Sequence, residues 1–248
     1  MILGLVAFAH ASELQPLFSG VGTPWTIGAR NGAIGLFRPF AFGLGEKTEL
    51  ESSGRWSLLA PHLGVKRTLL TTDGGFAFSA TFEVGVPTFG LRLLQTSFLQ
   101  PINAEQEIPW AVVPGLDLMG GWRNDHLVLS VGVRARFGIP FGENELTPQD
   151  LAWLDPMIAP LSYGWSLQPH LRVDWLPTPA WVLTAAGKVE IAGGPDFEGK
   201  LFVLRGIGDY LAAGVGVAGA MDKYRDGYPD KPVAFLNVVP LFDVQTRW

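Results

Sequence analysis

Cysteine is absent from the 248 residues of this chain, and charged residues make up only 17% of them. Without cysteine the chain can form neither a disulfide scaffold nor a metal site with thiolate ligands. The formal net charge is -5, which argues against nucleic acid as a partner, because neutralising phosphates requires a basic surface. These absences exclude disulfide-rich scaffolds, cysteine-ligated metal proteins and nucleic-acid binders.

Long apolar runs are also missing, although 48% of the residues are hydrophobic. Beyond the N-terminus, a charged residue, glycine or proline interrupts every apolar stretch well before the roughly 18 residues that a membrane-spanning helix needs. The 31 glycines and 19 prolines exceed what a helical bundle or a Rossmann-type sheet tolerates, because both residues destabilise helices. The composition therefore predicts an all-β chain.

The N-terminus has the features of an export signal. Residues 1–11 form an apolar stretch that ends in Ala9-His10-Ala11, the small-x-small pattern of a signal-peptidase site. The stretch lacks a basic region, so a buried strand is the alternative interpretation. We expect residues 1–11 to be a signal peptide and residues 12–248 to form a single domain.

Apolar and polar residues alternate along several segments. Within 161–176, apolar odd positions such as Trp165 and Leu171 alternate with polar even positions such as Gln168 and Arg172. Alternation alone fits a soluble sandwich as well as a membrane barrel. These alternating segments, however, run to 12 to 16 residues, whereas soluble strands usually have about 5 or 6 and membrane-spanning strands at least roughly 9 to 11. Strand length therefore favours the bilayer.

Tryptophans fall near the ends of the predicted strands. Such positions suit the two membrane interfaces, where an amphipathic ring has one side in lipid and the other at the headgroups. The alternative is that these rings belong to the core of a sandwich. The candidate membrane-interface aromatics are Trp110, Trp122, Trp165, Trp175, Trp181 and Trp248.

The C-terminal segment also alternates, and it ends on an aromatic residue. Leu236, Val238, Phe242 and Val244 alternate with polar residues before the terminal Trp248. This ending resembles the assembly signal of bacterial outer-membrane β-barrel proteins. The resemblance implies a transmembrane barrel in contact with outer-membrane lipid, inserted by the barrel-assembly machinery through the C-terminal strand. The chain also looks like the twelve-stranded outer-membrane transporters of aromatic-degradation pathways, without a motif specific to them.

The segments predict an antiparallel up-and-down barrel of about twelve strands, with ten as the alternative if neighbouring segments merge. Every second connection is short and rich in turn formers, as expected for one end of such a barrel. The strands are predicted near 25–31, 33–44, 48–56, 59–70, 75–87, 109–122, 126–139, 161–176, 180–192, 197–205, 209–221 and 233–248.

Charged residues occupy the positions that would face the interior of such a barrel. The pore-lining candidates are Glu83, Asp117, Arg134, Arg136, His170, Arg172, Asp174, Lys188 and Glu190. Because burying an unpaired ion costs several kcal/mol, these groups must pair across strands or contact water. Arg172 and Asp174 are expected to face Lys188 and Glu190 on the next strand, which makes a salt-bridge ladder geometrically possible. A cross-braced, nearly closed interior and a solvated channel are both compatible with this pattern.

Three classes of function follow from this pattern. A passive channel for a small solute needs a polar lumen, which these residues supply, and it is the function we expect. A structural or adhesive barrel needs only the scaffold and its loops. A lipid-modifying hydrolase needs a serine beside an oriented histidine, and Ser166 and His170 lie roughly 13 Å apart along one strand. We therefore expect no enzyme, no catalytic residues, no cofactor and no metal.

Overall fold

The computed structural model describes residues 22–35, 39–53, 61–89, 92, 108–142, 160–161, 164–178, 180–191, 195–207, 211–223 and 234–247. The predicted signal peptide and Trp248 lie outside these residues. Within them the chain is all-β. Its strands are β1 (Gly32–Gly35), β2 (Pro39–Gly45), β3 (Thr48–Ser53), β4 (His62–Thr71), β5 (Phe76–Gly85), β6 (Trp110–Arg123), β7 (Leu127–Phe137), β8 (Ile139–Phe141), β9 (Trp165–Thr178), β10 (Trp181–Ile191), β11 (Pro195–Ile207), β12 (Leu211–Lys223) and β13 (Ala234–Arg247). Among the described residues, no helix has the length and apolar character needed to cross a membrane.

All the strands belong to one antiparallel, up-and-down sheet. Its order is β5-β4-β3-β2-β1-β13-β12-β11-β10-β9-β7-β6-β8, and β5 also pairs with β6. The short β8 follows β7 and pairs with the first three residues of β6. Leaving β8 aside, each of the other twelve strands pairs with two neighbours, so the predicted count of about twelve is confirmed.

The start of the sheet differs from the prediction. Residues 25–31 form turns and coil rather than a strand, and the predicted strand 33–44 is divided between β1 and β2, which pair with each other. Gly28 and Arg30 have positive φ angles of 86° and 63°, which a strand does not accommodate. The count stays at twelve, because the missing strand at 25–31 is offset by the division of 33–44 into β1 and β2.

The two faces of the sheet have opposite chemistry. On the inner face, side chains are buried and largely polar: Lys66 is 1% exposed, Asp117 2% and Asp174 0%. On the outer face, side chains are apolar and exposed, with Val131 at 57% and Leu201 at 60%. This polarity is the reverse of a water-soluble sheet, whose apolar face is the buried one.

One end of the sheet carries only short connections. Two to four residues separate β2 from β3, β4 from β5, β6 from β7, β9 from β10 and β11 from β12, as the sequence predicted. We call this the short-turn end. Gly32, the first residue of β1, and Arg247, the last of β13, also lie there, because β1 pairs antiparallel with β2 and with β13.

The apolar part of the interior also lies at the short-turn end. Residues 22–27, which we call the inner segment, precede β1, and their Trp25 is only 7% exposed. Trp25 packs in a buried cluster formed mainly by strand residues near the short turns. Its other members are Ala77, Val128, Leu176, Val182, Phe202, Leu204 and Ala212.

Candidate functional site

The candidate site is the polar part of the inner face, where charged side chains from neighbouring strands meet. Alternation places all nine pore-lining candidates on this face, with Glu83 on β5, Asp117 on β6 and the seven others on β7, β9 and β10 at polar positions of the same parity. Five of the nine are less than 9% exposed: Glu83, Asp117, Arg136, Asp174 and Glu190. Their lining of a pore stays a prediction.

Asp117 is the centre of the first cluster. It lies directly opposite Arg134, whose Nη2 and Nε donate to Asp117 Oδ2 over 2.7 and 3.1 Å. His170 reaches the same carboxylate from β9, with its Nε2 2.9 Å from Asp117 Oδ1. The His170 ring passes over Gly132 of β7, where a Cβ would lie 2.6 Å from its Cε1 and Nε2. The missing side chain of Gly132 therefore lets this contact bridge a whole strand.

The second cluster extends across five strands. Arg136 Nε donates to Glu83 Oε1 over 2.6 Å, and the pair spans β6 at Gly115, where a Cβ would lie 2.8 Å from Glu83 Oε1. Gln168 of β9 accepts a longer bond of 3.4 Å from Arg136 Nη1 and donates to Glu190 of β10. Arg134 joins the two clusters, with its Nε 3.7 Å from Glu83 Oε1.

The expected ladder between Arg172–Asp174 and Lys188–Glu190 is wrong. In the observed register Arg172 lies opposite Ala186, Asp174 opposite Thr184, and Lys188 opposite His170. A register shift between Trp181 and Leu183 contributes to this alignment, and sequence alternation does not reveal such shifts.

Each member of the expected ladder has another partner. Arg172 Nε donates to Asp174 Oδ2 on the same strand over 2.8 Å, and Thr184 Oγ1 donates to Asp174 Oδ1. Lys188 Nζ lies 2.8 Å from Glu198 Oε2 on β11. Arg172, Asp174 and Lys188 therefore each have a charged partner, but not the one that the sequence predicted.

A third cluster was missed by the sequence analysis. Lys66 of β4 lies between two carboxylates of β3, forming an ion pair with Glu49 and donating to Glu51 Oε1 over 2.9 Å. Lys66 and Glu49 are 1% and 0% exposed. The alternation of Glu49 and Glu51 with Leu50 carried the signal, but β3 is too short for its pattern to stand out.

The tryptophans form two groups on the outer face. Trp110 and Trp165 begin β6 and β9 at the end opposite the short turns, and they are 47% and 48% exposed. Trp175 and Trp181 lie at the short-turn end with exposures of 52% and 37%, and Trp122 is half-buried there. Their role at a membrane interface stays a prediction.

The described residues contain no candidate metal site. No group of three or more histidines and carboxylates in the described ranges could hold a metal ion. The inner-face carboxylates that the structure details lie against arginine, lysine, histidine, threonine or glutamine side chains. The arrangement is suited to holding strands together and to presenting paired charges to a polar interior.

No protein-family profile matches the sequence, and no curated protein matches it either. Among solved structures, the chain is similar to in-vitro folded OmpT, an outer membrane protein of Vibrio cholerae, with a TM-score of 0.42 and 9% identity. It is similar to OccAB2 of Acinetobacter baumannii with a TM-score of 0.42 and 11% identity, and to outer-membrane expressed OmpT of Vibrio cholerae with 0.42 and 8%. Each match covers 85% of this chain and 63%, 54% and 63% of the respective protein. The chain thus spans less than two thirds of the length of these proteins.

Proposed function

We propose that the chain is a transmembrane β-barrel of the bacterial outer membrane and serves as a passive conduit for small solutes. The observation that carries the proposal is the reversed polarity of the sheet. Phe82, Val131 and Leu201 are 56%, 57% and 60% exposed, while Lys66 and Glu49 are almost completely buried. In water, an apolar surface of this extent promotes association, because monomeric proteins rarely expose patches above a few hundred Å².

The strand pairing supports a barrel. In hydrocarbon every backbone N–H and C=O needs a partner within the protein, so a spanning sheet must have no free edge. The pairings of β1 with β13 and of β5 with β6 give a cyclic order of twelve strands. An even number of strands with short turns at one end is the arrangement of single-chain outer-membrane barrels, whose short turns face the periplasm.

The spacing of the tryptophans supports a bilayer as the surrounding medium. Trp165 and Trp175 are ten residues apart on β9. Ten residues at about 3.4 Å each span roughly 34 Å along the strand, and a tilt of about 45° reduces this to about 24 Å along the membrane normal. Outer-membrane barrels have an apolar band about 25 Å tall between their aromatic girdles.

A polar interior supports the role of conduit. Arg134 and Lys188 are 30% and 24% exposed on the inner face, and Glu198, the partner of Lys188, is 41% exposed. A solute crossing an apolar band needs such a hydrated path, whereas a fully dry interior would impose a desolvation cost on each ion pair. The proposal includes no catalytic step, and it leaves the solute unidentified.

The test is reconstitution of the full chain into lipid vesicles and planar bilayers. We expect a detergent-dependent, heat-modifiable protein, and stepwise current or solute flux from the full chain or from a chain lacking residues 22–27. A monomer that stays dissolved without detergent would overturn the membrane assignment. A folded, membrane-inserted protein without flux, even after removal of the inner segment, would overturn the conduit.

The inner-face ion pairs favour one second candidate, a structural barrel without a pore. Glu83, Arg136, Gln168 and Glu190 brace five strands with almost completely buried side chains. Such a barrel would be as stable and as membrane-bound as the conduit. Flux measurements on folded protein distinguish the two candidates.

A further inference from the structure

The inner segment lies against the inner face at the short-turn end, where the barrel would open. Thr23 is 0% exposed, and Trp25 and Ile27 are each 7% exposed. These residues precede β1 and belong to no strand. Their burial therefore comes from contacts with the strands around them.

Polar side chains of the barrel wall bind the backbone of the inner segment. Lys66 Nζ donates to the Thr23 carbonyl over 3.0 Å, and Thr68 Oγ1 donates to the Pro24 carbonyl over 2.7 Å. The backbone N–H of Ile27 donates to Glu49 Oε2 over 2.7 Å. A buried backbone group without a partner costs about 1 to 3 kcal/mol, so these bonds make the buried position of the segment stable.

Contacts on the other side of the interior complete the enclosure. Trp25 packs with Val128, Leu176 and Phe202 of three different strands. The Arg123 guanidinium lies 4.9 Å from the centre of the Trp25 ring. The segment thus touches β3 and β4 on one side and reaches β7, β9 and β11 on the other.

From these contacts we infer that the inner segment is a plug that closes the lumen at the short-turn end. The inference rests on the proposed function, since a plug has meaning only in a conduit. The wall residues Glu49, Lys66 and Thr68 form its binding site, and the ligand of that site is the chain's own 22–27 backbone. Removal of the segment opens the path between the short-turn end and the polar inner face.

The absence of cysteine allows a direct test with single-cysteine variants. Thr68→Cys places a thiol beneath the plug, and Lys188→Cys places one on the inner face away from it. Both are made in the full chain and in a chain lacking residues 22–27, then inserted into vesicles and exposed to a small, charged methanethiosulfonate reagent. Heat-modifiable migration checks that each variant is folded.

We expect Lys188→Cys to be labelled in both chains. Thr68→Cys should be protected in the full chain and labelled as fast as Lys188→Cys once the plug is removed. Equal labelling of Thr68→Cys in both chains, or protection in both, would overturn the plug. Labelling of Lys188→Cys in neither chain would overturn the conduit and the plug together.

Planar bilayers give a second readout with a milder variant. Trp25→Ala should raise the open probability or conductance over the unmodified chain, while Trp181→Ala, which truncates a tryptophan on the outer face, should not. If the unmodified chain and Trp25→Ala conduct equally, the plug is overturned while the conduit stands. If neither they nor the chain without residues 22–27 conduct, both are overturned.

Discussion

Two glycines on the inner face determine which charges can meet. Gly115 lies between Glu83 and Arg136, and Gly132 lies beneath the His170 ring that reaches Asp117. Each glycine sits on the strand between the two partners, so the partners interact across a gap that any Cβ would partly fill. In the sequence, each of these glycines stands on the polar face two residues before a charged residue. This pattern by itself is a weak signal of a charge pair across the strand.

Substitution of Gly132 by alanine should destabilise the protein. The new Cβ would lie 2.6 Å from the His170 ring and 2.8 Å from the Leu118 carbonyl oxygen, which is backbone and cannot move aside easily. Overpacking of this kind should lower the free energy of unfolding by about 1 to 3 kcal/mol. Urea unfolding in lipid vesicles measures this loss. Gly199→Ala is the matched control, because nothing lies within 4 Å of its added Cβ. An equal loss for both variants would contradict the proposed close approach.

The buried pair Glu83–Arg136 should contribute more to stability than the exposed pair Lys188–Glu198. Glu83→Gln removes a carboxylate from an Arg136 side chain that is only 4% exposed, and loss of one partner of a buried pair costs about 3 kcal/mol or more. Lys188→Met should cost less than about 1 kcal/mol, since Glu198 is 41% exposed. Unfolding free energies of both variants and of Glu83→Gln/Arg136→Met provide the comparison. The double variant should recover part of the loss.

At the scale of the strands, alternation was a reliable predictor where the strands are long. Phe76–Gly85, Leu127–Phe137 and Trp181–Ile191 lie within two residues of the predicted bounds, because each combines a period of two with a turn at its end. The prediction failed at 25–31, where Trp25 and Ile27 also fit a period of two. There Thr26 Oγ1 donates to the Glu46 carbonyl and the Ile27 N–H to Glu49 Oε2, contacts with residues 20 and 22 positions away along the chain. No local pattern encodes such contacts.

The position of an outer-face residue along its strand should decide how much stability the protein loses when that residue is replaced by a charged one. Val131 lies near the middle of β7, where its neighbour Leu171 is midway along β9, and Ile207 is the last residue of β11. In a bilayer, Val131→Arg should cost about 2 to 4 kcal/mol and Ile207→Arg about 0 to 1 kcal/mol. In water, surface substitutions usually stay within about 0.5 kcal/mol. Similar small costs for both variants in lipid vesicles would contradict the transmembrane placement.

At the scale of the whole molecule, the sequence identified nine charged residues of the inner face but not their partners. Parity placed all nine candidates on one face, since parity depends only on the strand. Partner choice depends on register, and the observed β9–β10 register places Arg172 opposite Ala186 rather than Lys188. Glu198, the actual partner of Lys188, lies on β11, on the other side of β10 from Arg172 and Asp174.

Pairing of the first and last strands should allow a disulfide between them. Ile34 lies opposite Thr246, and opposite residues in antiparallel strands have Cα atoms about 4.5 to 5.5 Å apart, within the range of disulfides. In the variant Ile34→Cys/Thr246→Cys, these two thiols are the only ones in the chain, and mild oxidation should consume both without intermolecular products. In Ile34→Cys/Val239→Cys the second site is roughly 23 Å farther along β13, and the thiols should stay free. Free thiols in the first variant after oxidation would contradict the cyclic order.

The junction between β1 and β13 has three aligned residue pairs, whereas β12 and β13 share thirteen. It also joins parts of the chain about two hundred residues apart, and contacts of such long sequence separation form late because of their loop-closure entropy. Until it forms, the sheet of a newly made chain has two unpaired edge strands. Each of these edges can pair with a strand of another chain. This junction between the first and last strands therefore governs how long a nascent chain depends on chaperones to avoid aggregation.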